Sequence, residues 1–465
     1  MPQTPSISFE TRKVVLFHPA RSEFLLQSTS RGFSLPEVSI PSRERATANV
    51  NAAIHRMWNL DVLSIGEIAS ESITGTPLAC RYEVVELLSG KELSPEGLTA
   101  KPTSALRAGS FLQREDFSVL ERIAASNGPL PLCGQSGPFS SFGWFDELQT
   151  WLERVLPAFG LRRTGRFEQF NAGSCFSLIR FETNRDAVWF KAVGPPNVRE
   201  YAITQALAVT MPRYSPTVLA ACPEWHAWLS LEAQGELLSQ SEDVTKWQTT
   251  VAALAKLQID SIRQVPQILA AGARDMRIPV LWEQSQRFFE ILELLMGQQS
   301  KTSPAPLSAG ELRSLRQNVR DILLRLGDVN IPDTLGHFDL NPGNVVVSPT
   351  NCTFLDWSEA VVVPPLLTLQ YPLEHFHLAL PKEGHNEARL IASYAEAWDT
   401  IVGKTKLLAA MQFIPAATVY AYSALVIADR DMDFIEQPRT ASCVRGLARR
   451  LHREIALLHK TMAAT

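Results

Sequence analysis

The sequence predicts an α+β protein built in three successive parts: a small α/β unit, a short strand-rich segment, and a long helical half that contains one hairpin. Three observations lead there. Short apolar, β-branched or aromatic runs bounded by turn residues cluster before residue 232, and helix-period runs dominate after Asp243. A Gly-, Pro- and Ser-dense stretch between Asn127 and Gly143 separates the first two parts. With 465 residues and 45% hydrophobic content the chain can bury sizeable cores, and at roughly 100–200 residues per domain it should hold two or three.

The first part covers residues 1–126. Lys13–Phe17 and Glu23–Gln27 read as strands around a His18–Ser22 turn, followed by Gly32–Pro36. Glu44–Leu60 carries a helical pattern, and Arg81–Leu88 reads as a later strand. A linker is expected over 127–142. Trp144–Leu156 then places Trp144, Leu148, Trp151, Leu152 and Val155 on one helical face, as expected of a helix capping the sheet that follows.

That sheet is expected within 143–235. Phe167–Phe170 approaches a tight turn at Asn171–Cys175, Phe176–Phe181 leaves it, and Ala187–Ala192 forms a third strand. Lys191 is the only basic residue in that strand. A lysine ending an apolar strand is well placed as a point charge on phosphates, and Glu200, opening the helix expected over Glu200–Val209, would orient it. Trp225–Glu232 reads as a further strand before a helical region over 236–465.

Within that region one stretch carries chemistry: His337-Phe338-Asp339-Leu340-Asn341-Pro342-Gly343-Asn344, then the β-branched run Val345–Val347, the turn Ser348–Asn351, and Cys352–Leu355 before Asp356-Trp357. The expected hairpin sets Asp339 and Asn344 before its first strand and Asp356 after its second. Magnesium binds through one or two carboxylates plus substrate phosphates, a role that Asn344 and Asp356 fit. Asp339 is then left to orient and deprotonate an attacking hydroxyl.

His-x-Asp-x-x-x-x-Asn followed by hydrophobic-Asp-Trp resembles the catalytic and metal-binding loops of the aminoglycoside phosphotransferase family, relatives of choline kinase and of protein kinases. The resemblance covers residues 143–465. It implies a bilobal protein-kinase-like fold, with a β-rich N-lobe over 143–235 and a helical C-lobe over 236–465. Asp339 is implied as catalytic base, His337 as a loop-shaping residue beside it, and Asn344 and Asp356 as ligands of Mg2+. Gly173, Ser174, Lys191 and Glu200 are implied to meet a nucleotide, ATP or GTP. The partner it implies is a small molecule with an acceptor hydroxyl, and Glu374, His375 and His377 are candidates to line the acceptor pocket. Two features depart from the family: the phosphate loop has the single glycine Gly173, and Val361–Pro365 keeps the proline of a family turn but loses its glycine.

The order of elements in 1–126 resembles a Nudix hydrolase, whose helix carries clustered acids for metal. Here that part reads Ala53-Ile54-His55-Arg56-Met57-Trp58-Asn59-Leu60-Asp61, so a Nudix-like fold without hydrolase activity is expected, serving packing, ligand sensing or formation of a homodimer. A second reading of the whole chain is a non-catalytic nucleotide-binding pseudokinase that acts as a sensor or scaffold. A formal net charge of −4 gives no basic field, so nucleic acid is not an expected partner. The six cysteines contain no CxxC, the N-terminus shows no signal-peptide pattern, and no segment approaches 18 uninterrupted apolar residues. Together these features predict a cytoplasmic protein that does not enter a membrane.

Overall fold

Strand β1 (Phe9–His18) shows how the N-terminal sheet is built, because its alternate residues serve two different cores. Val14 and Leu16 join one apolar cluster, while Val15 and Phe17 join another. The computed structural model describes residues 8–42, 46–69, 81–88, 95–126, 139–173, 176–428 and 430–464. By contacts the chain divides into two units, Met1–Tyr201 with Thr217–Glu232, and Ala202–Pro216 with Ala233–Thr465.

In the first unit β1 is followed by β2 (Glu23–Thr29), β3 (Gly32–Ser34), β4 (Glu37–Pro41), helix α1 (Ala46–Trp58), β5 (Val62–Ala69), β6 (Arg81–Leu87), β7 (Leu98–Pro102) and α2 (Arg114–Ala125). Then come α3 (Trp144–Val155), β8 (Arg163–Asn171), β9 (Phe176–Thr183), β10 (Val188–Val193), α4 (Arg199–Thr210), β11 (Val218–Cys222) and β12 (Ala227–Leu231). The first seven strands form one sheet along the path β3-β2-β1-β6-β5, with β4 and β7 attached to β1 and β2. Its β1–β6 pairing is parallel. The remaining five strands form an antiparallel sheet ordered β11-β12-β10-β9-β8.

Helix α1 buries Val50, Ala53 and Ile54 against Val14, Leu16, Val38 and Val85. The other cluster gathers Phe17, Phe24 and Val84 from the first sheet, Leu120 from α2, Phe145, Leu148 and Leu152 from α3, and Ile179, Phe181 and Phe190 from the second sheet. The two sheets, with α2 and α3 between them in sequence, therefore share one hydrophobic core, and α1 packs in the other. Most of the expected linker, residues 127–138, lies outside the described residues, and the division by contacts falls inside α4.

Burial raises two carboxyls in this unit, Glu83 and Glu86. Burial pushes the Glu83 carboxyl up to about 7, with Glu67 adding to the rise and Arg12 opposing it. Burial likewise pushes Glu86 up to about 7, against the N–H of Gly143, which donates to Glu86 Oε2 at 2.9 Å. A folded-state value above the unfolded one means that this stability is fully present below the unfolded value and is lost as pH rises through the folded value. For a rise from 4.5 to about 7, the loss is about 3 kcal/mol per group. Glu83→Gln and Glu86→Gln should each raise the melting temperature at pH 8, change it little at pH 4.5, and flatten the fall between. Thermal denaturation across that range checks it.

The second unit contains β13 (Glu236–Leu237), α5 (Val244–Ser261), α6 (Val265–Ala270), β14 (Arg274–Asp275), α7 (Ile278–Gly297), α8 (Ala309–Val329), β15 (Thr334–His337), β16 (Val345–Val347), β17 (Cys352–Phe354) and β18 (Ala360–Val363). Helices α9 (Leu366–Ala379), α10 (Glu387–Trp398), α11 (Lys404–Ala410), α12 (Ile414–Ile427), α13 (Met432–Ile435) and α14 (Pro438–Ala464) complete it. Asp243 caps α5 by accepting from Thr245 N–H at 2.8 Å, and Ser308 with Glu311 forms a capping box on α8. Two small sheets, β13-β16-β17 and β14-β18-β15, are embedded among the helices.

Where a turn is expected over Val361–Pro365, β18 is a buried strand between β14 and β15. Within the expected helical region, the apolar stretch from Lys404 to Ile427 is divided into α11 and α12. Lys404–Ile427 is long and apolar enough to cross a membrane by composition, but 72% of its apolar window is buried inside the unit. Among the described cysteines Cys222, Cys352 and Cys443 are free thiols; Cys80, Cys133 and Cys175 lie outside the described residues.

Candidate active site

The loop after β15 is shaped by its own side chains. Gly336 in that strand has no room for a side chain: a Cβ there would come within 2.6 Å of Thr368 Cγ2 and of Val363 Cγ1. Next to it, His337 is buried, with its ring 4.8 Å from that of Trp357. His337 Nδ1 accepts from the Asp339 N–H at 3.1 Å, which assigns the proton to Nε2, the atom that donates to the Leu355 carbonyl at 2.9 Å. The ring thereby ties the Asp339 backbone to the segment leading into Asp356.

The Asp339 carboxylate is half-buried and held on both oxygens. Asn341 Nδ2 donates to Oδ1 at 3.1 Å, and Asn344 Nδ2 lies 3.4 Å from Oδ2 while donating to the Asp339 carbonyl at 2.9 Å. With its nitrogen committed there, Asn344 has its Oδ1 lone pairs to offer a ligand. Residues Pro342–Asn344 turn into β16, which pairs with β17 as the expected hairpin. The Leu355 N–H donates to the Asn344 carbonyl at 2.8 Å, so Asp356 follows directly from a residue bonded to Asn344. Asp356 itself is in the left-handed region, φ 59°, one of the few conformations of this kind that an Asp adopts readily.

A third acid completes this neighbourhood. Burial pushes Glu359 up to about 7; Asp339 and Asp356 add to the rise, and Arg274 on β14 opposes it. Tyr371 on α9 and Tyr422 on α12 lie beside it, their rings 6.2 Å apart and each 6.2–6.5 Å from Phe338. Burial raises both hydroxyls, and Glu359 and Asp339 raise them further. His375 is lowered by burial, with Glu374 and Asp339 pulling the other way. Glu374 pairs with Arg450, and His377 with Glu387 at 3.2 Å.

Among the described residues no three His, Cys, Asp or Glu side chains form a ready metal cage. The donor set nevertheless suits a hard cation that keeps water and phosphate oxygens as its other ligands: an amide oxygen of Asn344, a carboxylate of Asp356, and neighbouring acids whose repulsion a cation relieves.

In the first unit Lys191 lies inside the five-stranded sheet, paired with Leu178 on β9 and Trp228 on β12. Two further strand residues follow it, so it does not end the strand as expected. Its ammonium meets Glu200 Oε1 at 2.6 Å and lies 5.3 and 5.8 Å from the ring centroids of Phe176 and Trp228. The Glu200 side chain is only 2% exposed, in the first turn of α4, where the helix dipole favours a negative charge. Gly173 has φ 137°, a conformation that side-chain-bearing residues rarely adopt, and open space above its Cα. Ser174 lies outside the described residues.

No protein-family model matches the sequence, and neither does any curated protein. Solved structures do resemble it. The choline kinase of Cryptosporidium parvum is 11% identical with a TM-score of 0.47, covering 67% of this chain and 96% of its own. The Plasmodium vivax ethanolamine kinase is 14% identical with a TM-score of 0.43, covering 64% of this chain and 86% of its own. A choline/ethanolamine kinase family protein from Mesorhizobium loti is 16% identical with a TM-score of 0.41, covering 67% of this chain and 99% of its own. At such scores the chain's own side chains have to carry any functional reading.

The structure thus gathers His337, Asp339, Asn344 and Asp356 in the second unit and Lys191 with Glu200 in the first. Sequence reasoning missed Glu359, Tyr371, Tyr422 and Arg274. Only Glu359, three residues after Asp356, had a local signal. A cleft of about 790 Å³ lies elsewhere, in the first unit between α1 and β8, and is lined by neither Lys191 nor Asp339.

Proposed function

We propose that this chain is a small-molecule kinase with a protein-kinase-like fold, moving the γ-phosphoryl group of ATP or GTP to an alcohol. The observation that supports it is the His337–Asn344 loop, which presents a fixed carboxylate and, beside it, the oxygen of an amide whose nitrogen is already committed. The acceptor oxygen bonds to the γ-phosphorus as the bridging P–O bond breaks, the nucleoside diphosphate leaves, and the hydroxyl proton passes to Asp339. Asn344 Oδ1 and the Asp356 carboxylate hold Mg2+, which supplies charge neutralisation at the phosphates when bound. His337 keeps the loop in shape, and Lys191, set by Glu200, places a point charge on the α- and β-phosphates. Gly173 lets the backbone of the β8–β9 loop approach them.

The N-terminal domain has, in this reading, a Nudix-like fold without hydrolase activity, since α1 contains no Asp or Glu to hold the cations of pyrophosphate hydrolysis. The experiment is consumption of ATP and GTP with magnesium against a panel of amino alcohols, aminoglycosides, sugars and nucleosides, with Asp356→Ala as control. Stimulation by one acceptor class that is lost in the control is the expected result. Magnesium-dependent nucleotide binding without turnover would replace the kinase with a sensor or scaffold.

A further inference from the structure

β5 is an outer strand of the seven-stranded sheet, and β8 is an outer strand of the five-stranded one. Outer strands leave peptide groups without a neighbour, and here one side chain supplies what a neighbour would. The Ser64 N–H donates to Gln169 Oε1 at 2.9 Å, and Gln169 Nε2 donates to the Ser64 carbonyl at 2.8 Å. The amide of Gln169 thus bonds both peptide groups of one residue, as a paired strand does. It does so next to a bulge, where β5 shifts register against β6 between Ser64 and Gly66. Asn51 on α1 donates to the same Gln169 oxygen at 3.0 Å and accepts from Ser64 Oγ at 2.8 Å, closing a ring. Gln169 is 2% exposed.

Its position on β8 gives the ring a consequence. A second register shift, between β8 and β9, falls between Gln169 and Asn171, immediately before Gly173. The strand is therefore pinned at Gln169, shifts register, pairs once more with β9 at Asn171 opposite Leu178, and then enters the loop. We infer that Gln169 is a positioning residue: through Ser64 and Asn51 the N-terminal sheet fixes where the Gly173 loop begins, which makes that domain part of the nucleotide site. The inference rests on the proposed role of that loop.

Gln169→Leu removes every bond of the ring that Gln169 makes. Leu152→Ala weakens the same hydrophobic core without altering a ring residue, so it serves as the structural control. Hydrogen exchange at the amides of 170–173, measured at equal margins below each variant's melting temperature, should quicken at least tenfold in Gln169→Leu and stay near wild type in Leu152→Ala. The dissociation constant for magnesium-ATP should rise at least tenfold in the first and less than twofold in the second. Equal behaviour of the two variants in exchange overturns the inference. A wild-type chain that binds no nucleotide overturns the proposed role of the loop instead, and exchange alone then decides the pinning. If Gln169→Leu does not fold, Asn51→Ala, which removes one bond to Gln169, takes its place, with a threefold quickening expected and none counting against the inference.

Discussion

Asp339→Asn should slow phosphoryl transfer by roughly 10²- to 10⁴-fold, the usual range for a general base, while magnesium-nucleotide affinity stays within about a factor of two. The replacement is close to isosteric. The Asn344 bond to the carbonyl of residue 339 survives and an amide oxygen can still accept from Asn341, so the loop keeps its shape, and what is lost is the proton acceptor with the 3.4 Å contact of Asn344 Nδ2. Single-turnover kinetics beside equilibrium nucleotide binding separates the two quantities. A full transfer rate in Asp339→Asn would remove the residue from the base role.

The pair of Lys191 and Glu200 gives the second large effect. Both side chains are nearly buried, at 11% and 2% exposure, so Glu200→Ala leaves an ammonium without its carboxylate in a dry, aromatic setting. Removing one partner of such a pair costs about 3–5 kcal/mol, whereas replacing both with apolar residues of similar volume is often neutral. Glu200→Ala should therefore unfold at much lower denaturant, and the double variant Lys191→Met with Glu200→Leu should recover most of the stability. Transfer should be lost in both. Urea denaturation with turnover assays tests it, and a double variant that is stable and active would show that the pair does nothing beyond packing.

The features legible in the sequence were those encoded locally. The hairpin from Val345 to Phe354, the positions of Asp339, Asn344 and Asp356 around it, and the order of Lys191 before Glu200 all follow from runs and turns only a few residues long. Glu359, Tyr371 and Tyr422 were not legible as a group, because they meet only when α9 and α12 pack beside the loop. Pro372 inside α9 also breaks the pattern by which that helix would be recognised. β18 hid for a related reason: Ala360–Val363 ends at two prolines and reads as a turn until its partners, Arg274 and Asp275 on one side and Thr334–His337 on the other, are known. Gln169 carried no signal at all, since its partner Ser64 is more than a hundred residues earlier.

The core shared by the two sheets of the first unit also has a consequence in time. The α1 side of the seven-stranded sheet uses residues no later than Ala100 and can close early, but the opposite cluster waits for residues up to Leu229. About 100 residues separate the end of α2 from that point, which at roughly 5–20 residues per second is an interval of roughly 5–20 s during synthesis. Through that interval the cluster that holds Phe17, Phe24 and Tyr82 has α2 but lacks α3 and the second sheet, and the nascent protein presents one unfinished apolar face to whatever chaperone meets it at the ribosome.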